Sequence, residues 1–278
     1  MRIAELIADA LPKAEASCVP DSAVKLLLSG ILDCSVPELA ILGDAEVTEQ
    51  QYQLWQKSLL RLLDHEPAQY ILGYAWFYGL CFHVNPSVLI PRPETEGLVE
   101  LILPRLYPGC RVLDIGTGSG VIAITLAKLF PQADVYATDM HSGALSTARQ
   151  NASLHDVNVS FHLCDLCPAG NGLWDIIVSN PPYISEDEYA SLDQEVRLHE
   201  PSEALLAGED GLQFYRRILT IADSRLSPNG ILAFEHGYSQ REAITRIARD
   251  CGYKVVFAGE DLAGRHRYLI LGFPDPGY

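Results

Sequence analysis

The chain has 278 residues and is 48% hydrophobic, enough to bury a sizeable core and too apolar for global disorder. Its formal net charge of -16 repels a bare phosphate backbone, which argues against DNA or free RNA as the main substrate and leaves a basic protein partner open. No apolar run reaches membrane-spanning length, and Met1-Arg2-Ile3-Ala4-Glu5 lacks a secretory apolar core, so a cytoplasmic protein is expected.

Residues 1–70 read as short helices. Leu6 and Ile7, then Val24, Leu27, Leu28 and Ile31, then Leu54, Leu59, Leu60, Leu62 and Leu63 recur at helical spacing. Pro12, Pro20, Gly30, Pro37 and Gly43 punctuate them. Thr48 and Gln51 have the spacing of a capping box for the longest helix. No residue here suggests chemistry, so the segment is expected to be a small helical substrate-recognition domain, with a plain stabilising appendage as the alternative. Residues 71–90 change character. Tyr74, Trp76, Phe77, Tyr78, Phe82 and Val84 favour strands, and Gly73 and Gly79 mark bends, which gives a β-hairpin linker. Ile90-Pro91-Arg92-Pro93-Glu94-Thr95-Glu96 then stiffens the chain and starts a helix running to about Leu103. A third segment, 91–278, carries the rest.

From about residue 110 strands and helices alternate. Strands are expected at 111–115, 133–139, 158–164, 174–179, 230–235, 254–259 and 266–272, and helices at 120–130, 142–153, 211–226 and 239–251. This pattern is a doubly wound α/β domain with a seven-stranded, mostly parallel sheet. Such sheets place ligands at the carboxyl ends of their strands.

The candidate site residues fall at those ends. Val112-Leu113-Asp114-Ile115-Gly116-Thr117-Gly118-Ser119-Gly120 closes the first strand and opens a helix. Its glycines let a ligand approach the backbone. Val121 stands where a dinucleotide fingerprint needs glycine, and the lysine of a P-loop is absent. The G-x-G-x-G spacing after an acid suits a nucleoside with a zwitterionic tail. Asp139 ends the second strand, where a carboxylate can accept bonds from both ribose hydroxyls. Asp165 ends the third, where it could bond an adenine amino group with Leu166 packed on the ring. Each of these acids is also an ordinary turn or helix-start residue when taken alone.

The fourth strand, Ile176-Ile177-Val178, stops at Asn180-Pro181-Pro182-Tyr183. The first proline fixes its own φ, removes an N–H and restricts the asparagine before it. The result is a stiff loop with an amide side chain held in place. Its Asn180 oxygen and a backbone carbonyl can accept hydrogen bonds from a planar –NH2 group. A strand-terminating turn is the bland alternative.

Together these motifs resemble the class I S-adenosylmethionine-dependent methyltransferases, and more closely the release factor glutamine N5-methyltransferases, the HemK/PrmC family. The resemblance rests on Glu66-Pro67 with Tyr70-Ile71-Leu72-Gly73, on Leu89 to Glu96, and on Val178-Ser179-Asn180-Pro181-Pro182-Tyr183-Ile184. It extends to Glu200-Pro201, Ala204-Leu205, Asp210-Gly211-Leu212, and Asp261-Leu262-Ala263-Gly264-Arg265 with Arg267. Leu166 stands where some relatives carry an aromatic. The family implies methyl transfer from S-adenosylmethionine to the glutamine side-chain amide of the Gly-Gly-Gln motif in peptide chain release factors. It implies cofactor contacts from Asp114, Gly116, Thr117, Gly118, Ser119, Gly120, Asp139, Asp165, Leu166 and Asn180. It implies substrate contacts from Asn180, Pro181, Pro182 and Tyr183, with Asn180, Pro181 and Tyr183 as the catalytic set and no metal.

Two other readings compete. A nucleic-acid base N-methyltransferase would flip a base into the same loop, but it should carry a basic track, against the net charge. A pure binding module would have no use for the Asn-Pro-Pro-Tyr loop. Of the seven cysteines, Cys164 and Cys167 form one C-x-x-C without a second pair at zinc spacing, so free thiols are expected. His236 follows Glu235 at a strand end and reads as structural.

Overall fold

Amphipathic spacing gives the first part of the chain its helices: α1 (Ile3–Ala16), α2 (Asp21–Leu32), α3 (Val36–Ile41), α4 (Glu49–Leu63) and α5 (Ala68–Leu72). The computed structural model describes residues 1–170 and 172–274. Leu6, Leu27, Leu28, Trp55 and Leu62 are buried together in the helical core. The capping box forms as expected, with Gln51 N–H on Thr48 Oγ1 at 3.2 Å and Thr48 N–H on Gln51 Oε1 at 2.9 Å. Two expected breaks are not breaks. Pro12 lies inside α1, because the buried stripe of Leu6, Ala10 and Ala14 continues past it and packing outweighs local propensity. Gly30 lies inside α2, where a Cβ would sit 2.6 Å from Leu72 and 2.9 Å from the Tyr74 hydroxyl. It is a close-packing glycine, not a stop.

These helices, with Val84–Pro86 and Leu192–Glu200, form one compact unit. The second comprises Ala75–His83, Ser87–Ser191 and the chain from Pro201 onward. Its hairpin pairs β1 (Tyr74–Phe77) with β2 (Leu80–His83). Phe77 and Phe82 meet edge to face at 6.1 Å and are buried in the main core.

The elements that follow are α6 (Pro93–Ile102), β3 (Arg111–Ile115), α7 (Val121–Leu129), β4 (Asp134–Asp139), α8 (Ser142–Leu154), β5 (Ser160–Leu163) and β6 (Trp174–Ser179). After them come α9 (Glu186–Tyr189), α10 (Gln194–His199), α11 (Gln213–Ala222), β7 (Leu226–Glu235), α12 (Arg241–Asp250), β8 (Lys254–Glu260) and β9 (His266–Gly272). Among the described residues the main sheet has seven strands in the order β5-β4-β3-β6-β7-β9-β8. The first five are parallel, and β9 runs antiparallel to both its neighbours.

Side chains alternate across this sheet. Val112, Ile176 and Val178 pack with Leu98, Ile102, Ile122 and Leu126 on one face. Leu113 and Ile177 pack with Tyr215, Ile218, Leu219 and Ile244 on the other. Both faces are therefore covered by helices, as a largely parallel sheet requires. β7 starts four residues before its expected onset. Leu226 pairs with Trp174, and the register slips before Ile176 meets Ile231. Chain progression reverses at β3, which lies between β4 and β6, and a crevice at such a switch point is where ligands bind. No described helix is long and apolar enough to cross a membrane.

Candidate active site

Between β3 and α7 the chain turns through Gly116, Gly118 and Gly120, with φ of 72°, 57° and 88°. A Cβ at Gly116 or Gly118 would meet nothing within 4 Å, so this stretch of backbone borders open space. At Gly120 it would come within 2.6 Å of Ile124, so the third glycine serves packing. Gly116 N–H and Thr117 N–H both donate to the Thr138 carbonyl at 2.9 Å, which ties the loop to β4. Ser119 is buried, and its carbonyl accepts from Asn151 Nδ2 at 2.8 Å.

Asp114 is fully buried below this loop. Its Oδ2 accepts from Thr117 Oγ1 at 2.6 Å and from Ala123 N–H at 3.3 Å, while Oδ1 has no partner. Burial pushes its pKa up to about 7. Those two hydrogen bonds oppose the shift, and the neighbouring charge of Asp139 adds to it. A buried acceptor without a donor is costly, so the position is suited to a cationic donor such as the ammonium of an amino-acid tail.

Asp139 at the end of β4 accepts Gly118 N–H through Oδ2 at 3.0 Å and His141 N–H through Oδ1 at 2.9 Å. The carboxylate is thus fixed beside the open glycines, and each oxygen has a lone pair left over. The next strand end has two features that its sequence does not announce. Asp165 is ion-paired through Oδ2 with Arg217 of α11, a partner about fifty residues away that no local pattern announces. Leu166 has a left-handed φ of 64° and is buried in the core. Its carbonyl accepts Thr138 Oγ1 at 2.6 Å, so packing and that bond fix the turn.

At the end of β6, Ser179 Oγ donates to the Ile115 carbonyl at 2.7 Å and locks the strand to β3. Asn180 is half-buried and Pro181 buried. The loop is then clamped. Tyr183 O accepts Gln240 Nε2 at 2.8 Å. Ile184 N–H donates to Leu205 O, and Ala207 N–H to Ile184 O, both at 2.9 Å. Gly211, with φ 71°, lies so close that a Cβ would stand 2.5 Å from the Tyr183 carbonyl. Asn180 Nδ2 donates to Thr95 Oγ1 at 3.1 Å, and Thr95 Oγ1 donates to Glu235 Oε2 at 2.7 Å. Sequence reasoning missed Thr95, Glu235, Gln240 and Arg217 as partners of the site. Thr95 and Gln240 had only a position at a helix start, Glu235 only one at the end of β7, and Arg217 only a place on an amphipathic helix.

His236 is fully buried, with Nδ1 bonded to Gly237 O at 2.8 Å. Burial lowers its pKa to about 4, so at neutral pH the ring is uncharged and a weak base. That fits a structural histidine.

A doubly wound sheet with β9 inserted antiparallel, a glycine loop after β3 and an Asn-Pro-Pro-Tyr loop after β6 defines a methyltransferase. Residues 95–212 match the family model described as the methyltransferase small domain, and residues 7–73 that of the PrmC N-terminal domain. The fold resembles a methyltransferase from Pyrococcus furiosus, with a TM-score of 0.52 and 21% identity over 78% of this chain and 96% of that one. A release factor glutamine methyltransferase of Neisseria gonorrhoeae is 40% identical over 91% of this chain and 94% of its own length. One from Koribacter versatilis is 38% identical over 97% and 98%. The chain belongs to the release factor glutamine methyltransferase family.

Proposed function

We propose that this enzyme transfers a methyl group from S-adenosylmethionine to the side-chain amide nitrogen of the glutamine in the Gly-Gly-Gln motif of a peptide chain release factor. The observation that carries the reading is the clamped Asn180-Pro181-Pro182-Tyr183 loop, set at the strand ends beside an open glycine turn. S-adenosylmethionine supplies, when bound, a methyl group on a positively charged sulfur. Asp114 and the turn Gly116, Thr117, Gly118, Ser119 and Gly120 would hold its amino-acid tail. Asp139 would take the ribose hydroxyls, Asp165 and Leu166 would border the adenine, and Asn180 would lie next to the sulfonium.

An amide nitrogen is a poor nucleophile because its lone pair is delocalised. Asn180 Oδ1 and the Pro181 carbonyl accept its two hydrogens and aim the nitrogen at the methyl carbon. Positive charge grows on that nitrogen as the bond forms, so the acceptors bind the transition state better than the ground state. Pro182 stiffens the loop, and Tyr183 packs against the amide plane. The nitrogen becomes acidic once methylated, so its proton leaves without a dedicated base.

Asp139→Ala is expected to weaken cofactor affinity by roughly tenfold to a hundredfold, the loss of charge-assisted bonds worth about 1.5–3 kcal/mol. Isothermal titration with unchanged affinity would remove the ribose assignment. The whole reading is tested by mass spectrometry of a release factor co-expressed with the enzyme. One added methyl on the Gly-Gly-Gln glutamine is expected, and methylation found only on nucleic acid would overturn it.

A further inference from the structure

Which end of the Asn180 amide faces the substrate decides whether the loop accepts or donates. An oxygen there can hold a substrate N–H, whereas an –NH2 there would oppose it. The answer is set outside the loop. Thr95, in the first turn of α6, and Glu235, at the end of β7, are 3% and 1% exposed. They form a continuous line with Asn180, at 2.7 Å between Thr95 Oγ1 and Glu235 Oε2 and 3.1 Å between Asn180 Nδ2 and Thr95 Oγ1.

We propose that Glu235 and Thr95 are positioning residues, a two-step hydrogen-bond relay that orients the Asn180 amide with its oxygen toward the substrate. This rests on the reading of Asn180 given above. The logic is one of counting protons. An ionised carboxylate only accepts, so the single hydroxyl proton of Thr95 goes to Glu235. Oγ1 is then left as an acceptor toward Asn180, and only Nδ2 can satisfy it. Oδ1 must point the other way. A protonated Glu235 reverses this, because it can donate to Thr95, freeing the Thr95 proton for Asn180 Oδ1. The amide then turns over and presents –NH2 to the substrate –NH2.

The state of Glu235 therefore matters, and its surroundings place it near the point of change. Burial raises its pKa to about 7. The Thr95 bond and the cations of Arg267 and Arg92 act against that rise, and Glu94 acts with it. Tyr183, Tyr215 and Tyr268 complete the titratable groups around it. Tyr215 Oη donates to the Glu235 backbone carbonyl at 2.9 Å, which holds the strand end in place. Because the ionised form is the orienting one, turnover should be lost as pH falls through about 7 and be full above it.

Three variants of the full-length enzyme test the relay on intact release factor. Thr95→Val keeps shape and removes the hydroxyl. It is expected to lower kcat about tenfold or more with cofactor affinity and KM within about twofold, since only orientation at the transition state is lost. Thr95→Ser restores the hydroxyl and should recover most of kcat. Glu235→Gln cannot ionise, and should lose the acid limb of the wild-type kcat–pH profile. Wild-type kcat in Thr95→Val, equal damage in Thr95→Ser, or an unchanged acid limb in Glu235→Gln would each overturn the relay. Should Thr95→Val fold poorly, judged by melting temperature and cofactor binding, the Glu235→Gln profile decides. Asn180→Ala separates the two levels. If it is inactive while Thr95→Val is unimpaired, only the relay fails. If it turns over normally, the loop assignment itself fails.

Discussion

Asn180→Ala is expected to bind S-adenosylmethionine with near-normal affinity and to turn over roughly a hundredfold or more slowly, as when a hydrogen bond directed at the transition state is removed. On the proposed reading the cofactor sits mainly at the ends of β3, β4 and β5, and there Asp114, Asp139 and the glycine turn have their own supports independent of Asn180. The loop's shape should also survive. The Gln240 side chain on the Tyr183 carbonyl and the backbone pairing of Ile184 with the 205–207 segment are contacts that an alanine at 180 leaves alone. What the proposed reading has it lose is an acceptor for the substrate amide. A slow chemical step at saturating substrate, measured by single-turnover methylation beside isothermal titration of the cofactor, is therefore the signature. A variant that methylates at the wild-type rate would show the loop to be a strand-ending turn. The contrast with Asp139→Ala matters, since that variant should lose affinity and recover rate at high cofactor concentration.

The parts of this molecule that follow a backbone period were legible in the sequence. The unbroken apolar run Ile176-Ile177-Val178 announces a strand buried on both faces, and Gly116 to Gly120 announces a tight strand-to-helix turn. Since parallel strands bring their carboxyl ends to one edge, Asp114, Asp139, Asp165 and Asn180 could be gathered there before any coordinates. Side-chain partnerships across long separations have no such period. Thr95 looks like a helix-start residue and Glu235 like a strand end, and they lie 140 positions apart. Arg217 reads as a surface residue of an amphipathic helix, yet it takes up the Asp165 carboxylate. Leu166 reads as a surface for a ring, and its local pattern carries no sign that it also belongs to the core cluster of Leu113 and Ile115. Pro12 and Gly30 mislead for a related reason, since burial of neighbouring residues overrides their local preference.

The helical first unit is expected to govern which protein is methylated and to leave the chemistry untouched. Residues 1–70 hold eleven acidic and five basic side chains, a net charge of -6, and no cofactor motif. A glutamine side chain offers few contacts, and an amide alone cannot distinguish one protein from another. Selection of a folded partner needs a second surface, and complementary charge supplies orientation and association rate. The unit's interior is closed around Trp55, Leu27 and Leu62, and its exterior carries the acidic excess together with exposed apolar side chains such as Ile41, Leu54 and Leu60. A chain beginning at Gly73 should still bind S-adenosylmethionine and lose most methylation of intact release factor. On a short Gly-Gly-Gln peptide its rate should match that of the full-length enzyme, because on the proposed reading a peptide meets only the Asn-Pro-Pro-Tyr loop. Leu192–Glu200 groups with the first unit, so the shortened chain is checked by cofactor titration before rates are compared. Raised salt should weaken methylation of the intact protein by the full-length enzyme more than methylation of the peptide, since exposed charges are screened. Equal rates on intact release factor with and without residues 1–72 would show instead that the helices only stabilise the fold.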